Sequence, residues 1–303
     1  MKRIKNEYSL NLVFILLLLA FTFTVNSLRA ETTSTELFDV TVSGKGNPVI
    51  LIHGYASHKS VWDETVNYLN SDFECHVFQL AGFAGKKAVD EEEYLAAVRD
   101  GIAEYITKNK LGKATLVGHS MGGFLSLWIA SEYPDLVKNV VSVDGLPFLS
   151  AVINPAATSE SQMEFAKKTF RYDYDFEPGK QTLSDEQRKQ MFLSMTIHKE
   201  KMDLLLDWTK NSDPKILNQA MFELMVTDIR EDIANIKAPV LLFGAWIAYK
   251  NYGATRESTK NLYSMQYAKA KNFRIELTDK GKHFIMWDDF DWYAKTLKDF
   301  IIK

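Results

Sequence analysis

Short apolar runs alternate with amphipathic stretches along most of this chain. "FDVTVSG" (38–44) alternates apolar and polar residues at a period of two and predicts a strand. "PVILIHG" (48–54) is a continuous apolar run, the pattern of a central parallel strand covered on both faces. "CHVFQL", "ATLVGHS", "VKNVVSVDG", "APVLLFG" and "NFRIELTD" read the same way. Between them lie helical patterns: "SVWDETVNYLN", "DEEEYLAAVRDGIAEYITKNK" (90–110), "MGGFLSLWIASEYP" and, last, "DDFDWYAKTLKDFII". The 90–110 segment carries acids at its start and lysines at its end, which predicts acids in the first helical turn, where they favour the helix dipole. Strand and helix in alternation predict an α/β fold, with a mostly parallel sheet and helices on both faces.

Residues 151–235 break the alternation. The stretch is amphipathic, as in "SDEQRKQMFLSMTIHKE" and "PKILNQAMFELMVTDIRE", and contains no strand pattern. It predicts a helical cap inserted between two parts of one core, 31–150 and 236–303. Methionines and aromatics gather in it, among them Met191, Met195, Trp208, Met221 and Met225. Most of these suit the packed faces of helices, and some suit the lining of an adaptable apolar pocket.

The N-terminus changes the picture of where the protein goes. Lys2, Arg3 and Lys5 precede an apolar stretch from Leu12 to Val25, and "LRA" precedes Glu31. Such a stretch rises about 21 Å as a helix, short of the roughly 30 Å hydrocarbon core. Residues 1–30 therefore predict a signal peptide cleaved before Glu31, an exported protein in the periplasm or outside the cell, and no membrane span in the mature chain. An uncleaved anchor is the alternative, because Leu28 is not the small residue preferred two positions before the cut. Cys75 is the single cysteine, which excludes an internal disulfide and predicts a buried apolar residue on a strand. Of the 303 residues 46% are hydrophobic and 25% charged, which is ordinary globular composition. The net charge of −3, with no basic block, argues against a nucleic-acid partner.

Candidate chemistry centres on "LVGHSMGG". Gly118, His119, Ser120, Met121 and Gly122 form G-x-S-x-G between an apolar strand and an amphipathic helix. Glycines on either side allow a turn tight enough to project Ser120 alone, and the helix N-terminus behind it favours an oxyanion. His119, as a flanking residue, is expected to point away. His283 lies in a loop between the last strand and the last helix, placed to accept the Ser120 proton and return it. The histidines at 53, 58, 76 and 119 show no metal-ligand spacing, and the chemistry calls for no cofactor.

With "LIHGYASHKSVW", "LVGHSMGG" and "DKGKHFIMWDD" in place, the chain resembles the α/β-hydrolase superfamily over nearly everything after the signal. The resemblance implies an α/β-hydrolase fold, His283 as the base, and an oxyanion hole made by the backbone N–H groups of Tyr55 and Met121. The side chain of His53 is expected to brace its loop. The commonest place for the family's catalytic acid is the loop after "PVLLFG", yet no Asp occurs from Ile233 to Thr278. A second place, used by haloalkane dehalogenases and pancreatic-type lipases, is the end of the strand after the nucleophile helix. Asp144 stands there, on a strand adjacent to that of Ser120. Asp279 and Glu257 are the alternatives. These residues predict a serine hydrolase acting on a small or medium apolar ester through an acyl-enzyme. The rivals are a C–C bond hydrolase, a perhydrolase and a non-catalytic binding protein on the same fold.

Overall fold

The computed structural model describes residues 31–170 and 183–303. The predicted signal peptide falls outside the described residues. In chain order the elements are β1 (Glu31–Ser34), β2 (Phe38–Gly44), β3 (Asn47–Ile52), α1 (Asp63–Leu69), β4 (Phe73–Leu80), α2 (Tyr94–Lys108), β5 (Ala114–His119), α3 (Met121–Glu132) and β6 (Val137–Val143). Then follow α4 (Ser159–Phe170), α5 (Asp185–Met195), α6 (Met202–Lys210), α7 (Pro214–Val226), β7 (Val240–Ala245), α8 (Arg256–Gln266), β8 (Phe273–Thr278), α9 (Ile285–Asp288) and α10 (Phe290–Ile301).

The strands form one eight-stranded sheet in the order β1-β2-β4-β3-β5-β6-β7-β8. β1 and β2 pair antiparallel at one edge, and every pair from β4 to β8 is parallel. The apolar run of β3 is explained by its two covered faces. Ile50 and Ile52 belong to a core shared with α2, α3, α7 and α8, while Val49 and Leu51 belong to a core shared with α1, α6 and α10. Leu51 and Ile52 are fully buried on opposite faces, so truncating either to alanine costs about 2–5 kcal/mol. Among the described residues, 151–235 contains helices and no strand, and no helix is long and apolar enough to cross a membrane. Cys75 is buried on β4, where burial and the nearby Glu74 push its thiol up to about 12.

The structure differs from expectation at three elements. β1, "ETTS", pairs with β2 without any apolar alternation to announce it. α8 carries a polar sequence, "RESTKNLYSMQ", and buries only Thr259, Tyr263 and Gln266. α2 begins at Tyr94, so Glu91 to Glu93 precede it and no acid sits in its first turn. The negative charge comes instead from another helix. The Glu223 carboxylate of α7 accepts hydrogen bonds from the backbone N–H of Tyr94 (2.8 Å) and Leu95 (2.6 Å). Gln219 donates to it from one turn earlier. A carboxylate at a helix N-terminus satisfies amides that lack intrahelical partners.

Candidate active site

Ser120 and Asp144 occupy equivalent positions on neighbouring strands. His119 of β5 pairs in register with Val143 of β6, and each functional candidate is the next residue. Ser120 N–H donates to the Val143 carbonyl (2.8 Å), and Asp144 N–H to the Phe243 carbonyl on β7 (2.8 Å). Both chains kink there, with φ at 53° for Ser120 and 51° for Asp144. Positive φ in a residue with a side chain costs of order 1–3 kcal/mol and persists where the surroundings impose it. At Ser120 the imposing neighbours are glycines. A Cβ at Gly118 would overlap the Gly122 carbonyl, and one at Gly122 would overlap the Ile52 carbonyl. The strand-to-helix turn therefore closes only with glycine at both places.

Asp144 is almost wholly enclosed, its side chain 4% exposed, and each carboxylate oxygen has a partner. Oδ2 lies 2.6 Å from Nδ1 of His283. Oδ1 accepts from the Tyr263 hydroxyl of α8 (2.6 Å) and from Ala245 N–H at the end of β7 (3.2 Å). The strand end that lacks an acid thus supplies a donor to an acid from the next strand. Burial, and then the Asp144 charge, holds the Tyr263 phenol protonated far above its usual range. Of the alternative acids, Asp279 is exposed and takes hydrogen bonds from Trp246 Nε1 (2.9 Å) and Arg256 Nε (3.1 Å). Glu257 is exposed in the first turn of α8.

The loop bearing His283 is held from several sides. Thr278 Oγ1 accepts from Lys280 and Gly281 N–H and donates to Asp289 (2.7 Å). Lys282 N–H donates to Asp288 (2.8 Å), a carboxylate only 8% exposed. The same carboxylate accepts from Thr196 Oγ1 (2.5 Å) and Ile197 N–H (3.2 Å) just past α5. Phe284 N–H donates to the Met195 carbonyl (3.0 Å). His119 does not point away as expected. Its ring lies 4.5 Å from that of His283, between centroids, and its Nε2–H donates to the His283 carbonyl (3.1 Å). The reason is that the His283 loop folds back over the end of β5. Burial and the adjacent His283 depress His119 well below the ordinary histidine range, so it stays neutral.

His53 braces its loop as expected. Nδ1–H donates to the Gly54 carbonyl (2.7 Å), and Nε2 accepts from Leu80 N–H (3.0 Å). Burial lowers its pKa to about 4, which matches a ring that must keep one nitrogen bare. At Gly54 a Cβ would stand 3.2 Å from the Ser120 Cβ, so the Gly54–Tyr55 turn runs directly against the serine. Met121 opens α3, where first-turn amides have no intrahelical partner.

Ser120, His283, Asp144, Tyr55 and Met121 all line one cavity of about 320 Å³. The rest of its wall is mostly apolar, with Leu146, Leu149, Met195, Met221, Leu224 and Phe284. Burial pushes the Tyr55 phenol up to about 12, against the pull of nearby Arg188. Ser120 and His283 face the cavity together but share no hydrogen bond among the described residues; such contacts commonly tighten when substrate binds. Among the described residues no three His, Cys, Asp or Glu side chains gather as a metal site. The partners of Asp144 from Tyr263 and Ala245, and the tie through Asp288, were not foreseen, because a donor brought from a distant segment leaves no local pattern. The Asp of "MWDD" beside the His283 motif is the one hint the sequence offers for the last.

A profile of the alpha/beta hydrolase fold matches residues 47–272. A pimeloyl-[acyl-carrier protein] methyl ester esterase from Nitrosomonas europaea is 25% identical over 214 residues, covering 67% of this chain and 78% of the relative. One from Legionella pneumophila is 24% identical over 260 residues, covering 85% and 96%. Among solved structures, an esterase from Exiguobacterium antarcticum superposes with a TM-score of 0.71 at 15% identity, covering 90% of this chain and all (100%) of that one. The enol-lactonase from Burkholderia xenovorans LB400 gives 0.69 at 15% identity, with the same coverage of 90% and 100%.

Proposed function

The chain belongs to the α/β-hydrolase fold family, and on that premise we propose that it is an exported serine esterase cleaving small or medium apolar carboxylic esters. Ser120 Oγ attacks the ester carbonyl carbon while Nε2 of His283 takes the hydroxyl proton. Negative charge develops on the carbonyl oxygen, and the N–H groups of Tyr55 and Met121 hold it. The tetrahedral intermediate collapses, the C–O bond to the alcohol breaks, and His283 returns the proton to the departing alkoxide. Water, deprotonated by His283, then attacks the acyl-serine, and the acid and free Ser120 are released. Asp144 fixes the tautomer with the proton on Nδ1 and stabilises the imidazolium formed in each half-reaction.

The observation that carries this reading is the 2.6 Å contact between His283 Nδ1 and a buried Asp144, inside an apolar cavity that also exposes Ser120. The reaction class is supported by the relatives named as methyl ester esterases. Export rests on the charge and hydropathy of residues 1–30. The test is labelling with a fluorophosphonate together with hydrolysis of p-nitrophenyl esters. The native protein takes the label and Ser120→Ala does not; equal labelling of both, or none of the native protein, rejects the esterase. The mass of the mature chain tests export, with Glu31 expected as the first residue.

A further inference from the structure

A second cavity, of about 330 Å³, adjoins the catalytic one. Leu146, Val152, Tyr249 and Tyr263 line both, so these four residues stand between the two. Tyr249 stands on the short 3-10 turn Ile247–Tyr252, in the loop after β7 that carries no aspartate. The far wall is the first half of α8, with Ser258, Thr259 and Leu262, reached past Gly253 and Ala254. There is room at that end: a Cβ on Gly253 would meet nothing within 4 Å. Thr259 is 6% exposed, and its hydroxyl forms no hydrogen bond among the described residues. An accessible hydroxyl on a cavity wall that has no partner in the protein is a group a ligand can satisfy. No lysine, arginine or glutamate lines either cavity, and the charged groups of the first are those of the reacting centre. An anionic chain end would therefore find no lysine or arginine on either wall to pair with.

We propose that this second cavity is a subsite for the distal part of one arm of the ester, an uncharged chain bearing a hydrogen-bonding group such as a hydroxyl, ether or carbonyl near its end. Tyr249 is the partition that sets how much of the chain reaches it. The proposal rests on the esterase reading and names the substrate class for that site. It also explains an otherwise idle loop. Relieved of carrying the acid, the segment after β7 is free to shape specificity.

The experiment uses two ester series with the full mature protein. One lengthens the acyl chain, as p-nitrophenyl esters from acetate to dodecanoate; the other lengthens the alcohol, as alkyl butyrates from methyl to octyl. Leu262→Trp and Ala254→Phe fill the cavity by different routes, and Tyr249→Ala removes the partition. The readout is the ratio of kcat/KM for long over short esters, with short-ester hydrolysis as the internal measure of folded enzyme. In the series whose arm enters the subsite, the ratio falls about tenfold or more in both filling variants. It rises in Tyr249→Ala, and the series that responds assigns the arm. At equal chain length, the wild type prefers an ω-hydroxy ester to an ω-carboxy ester. Unchanged ratios in both series, with the wild type active, overturn the subsite alone, as does preference for the ω-carboxy ester. A wild type inert on every ester sinks the esterase reading and the subsite with it.

Discussion

Nδ1 of His283 lies 2.6 Å from Oδ2 of Asp144, although 139 positions separate the two residues in the chain. The contact exists because β6 ends beside the turn that carries Ser120, and because the loop after β8 folds over that edge. Asp144→Asn keeps the side-chain shape and most of its partners but reverses the preferred tautomer of His283. We expect kcat to fall by about 10⁴, as for the corresponding change in a serine protease, with little change in thermal midpoint. Steady-state kinetics and a melting curve check both. Near-normal turnover here, with loss in Asp279→Asn, would transfer the role to Asp279.

Tyr263→Phe removes the 2.6 Å hydrogen bond to the other oxygen of Asp144 without changing the shape of the cavity wall. A hydrogen bond to a buried charge is worth about 1.5–3 kcal/mol. The variant should lose stability of about that size in urea unfolding. It should also lose turnover by about tenfold, since one fewer donor fixes the carboxylate that orients His283.

The backbone at Ser120, with φ of 53°, favours glycine over any residue with a Cβ. Ser120→Gly and Ser120→Ala should both be inactive, yet the glycine variant should be the more stable by about 1 kcal/mol. Denaturant unfolding of the pair isolates the strain, because both lack the hydroxyl. Equal stability would mean that the turn carries no strain at this position.

His53, with its pKa lowered to about 4, and His119, lowered further than the ordinary range, are neutral in the folded state. In the unfolded chain each returns to about 6.5. As pH falls below 6.5 the unfolded state binds protons that the folded state does not. Stability is therefore full above pH 6.5 and is lost as pH drops towards 4, by up to about 1.4 kcal/mol per pH unit for each histidine. Urea midpoints measured near pH 7 and near pH 5 should differ in that direction. A protein more stable at the lower pH would contradict the neutral, buried rings.

The central strands were legible because burial on both faces forces continuous apolar runs, as in "PVILIHG" and "APVLLFG". The Ser120 turn was legible because its steric demands restrict Gly118 and Gly122, and the placement of Asp144 beside it because Asp144 directly follows the neighbouring strand. β1 was hidden because an edge strand of polar residues has no alternation to show. The helix dipole of α2 was misassigned because Glu223, from a distant helix, satisfies the amides that the local acids were expected to serve. His119 was misplaced because its orientation depends on a loop more than 160 positions away, His283 lying at a separation of 164.

Asp288 takes Thr196 Oγ1 and Ile197 N–H with the same carboxylate that holds Lys282, the residue before His283. Lifting the strap at 196–197 off its seat would loosen the imidazole one position away. Thr196 thus anchors on a buried carboxylate 92 positions away, which ties the loop of the imidazole to the chain just past α5.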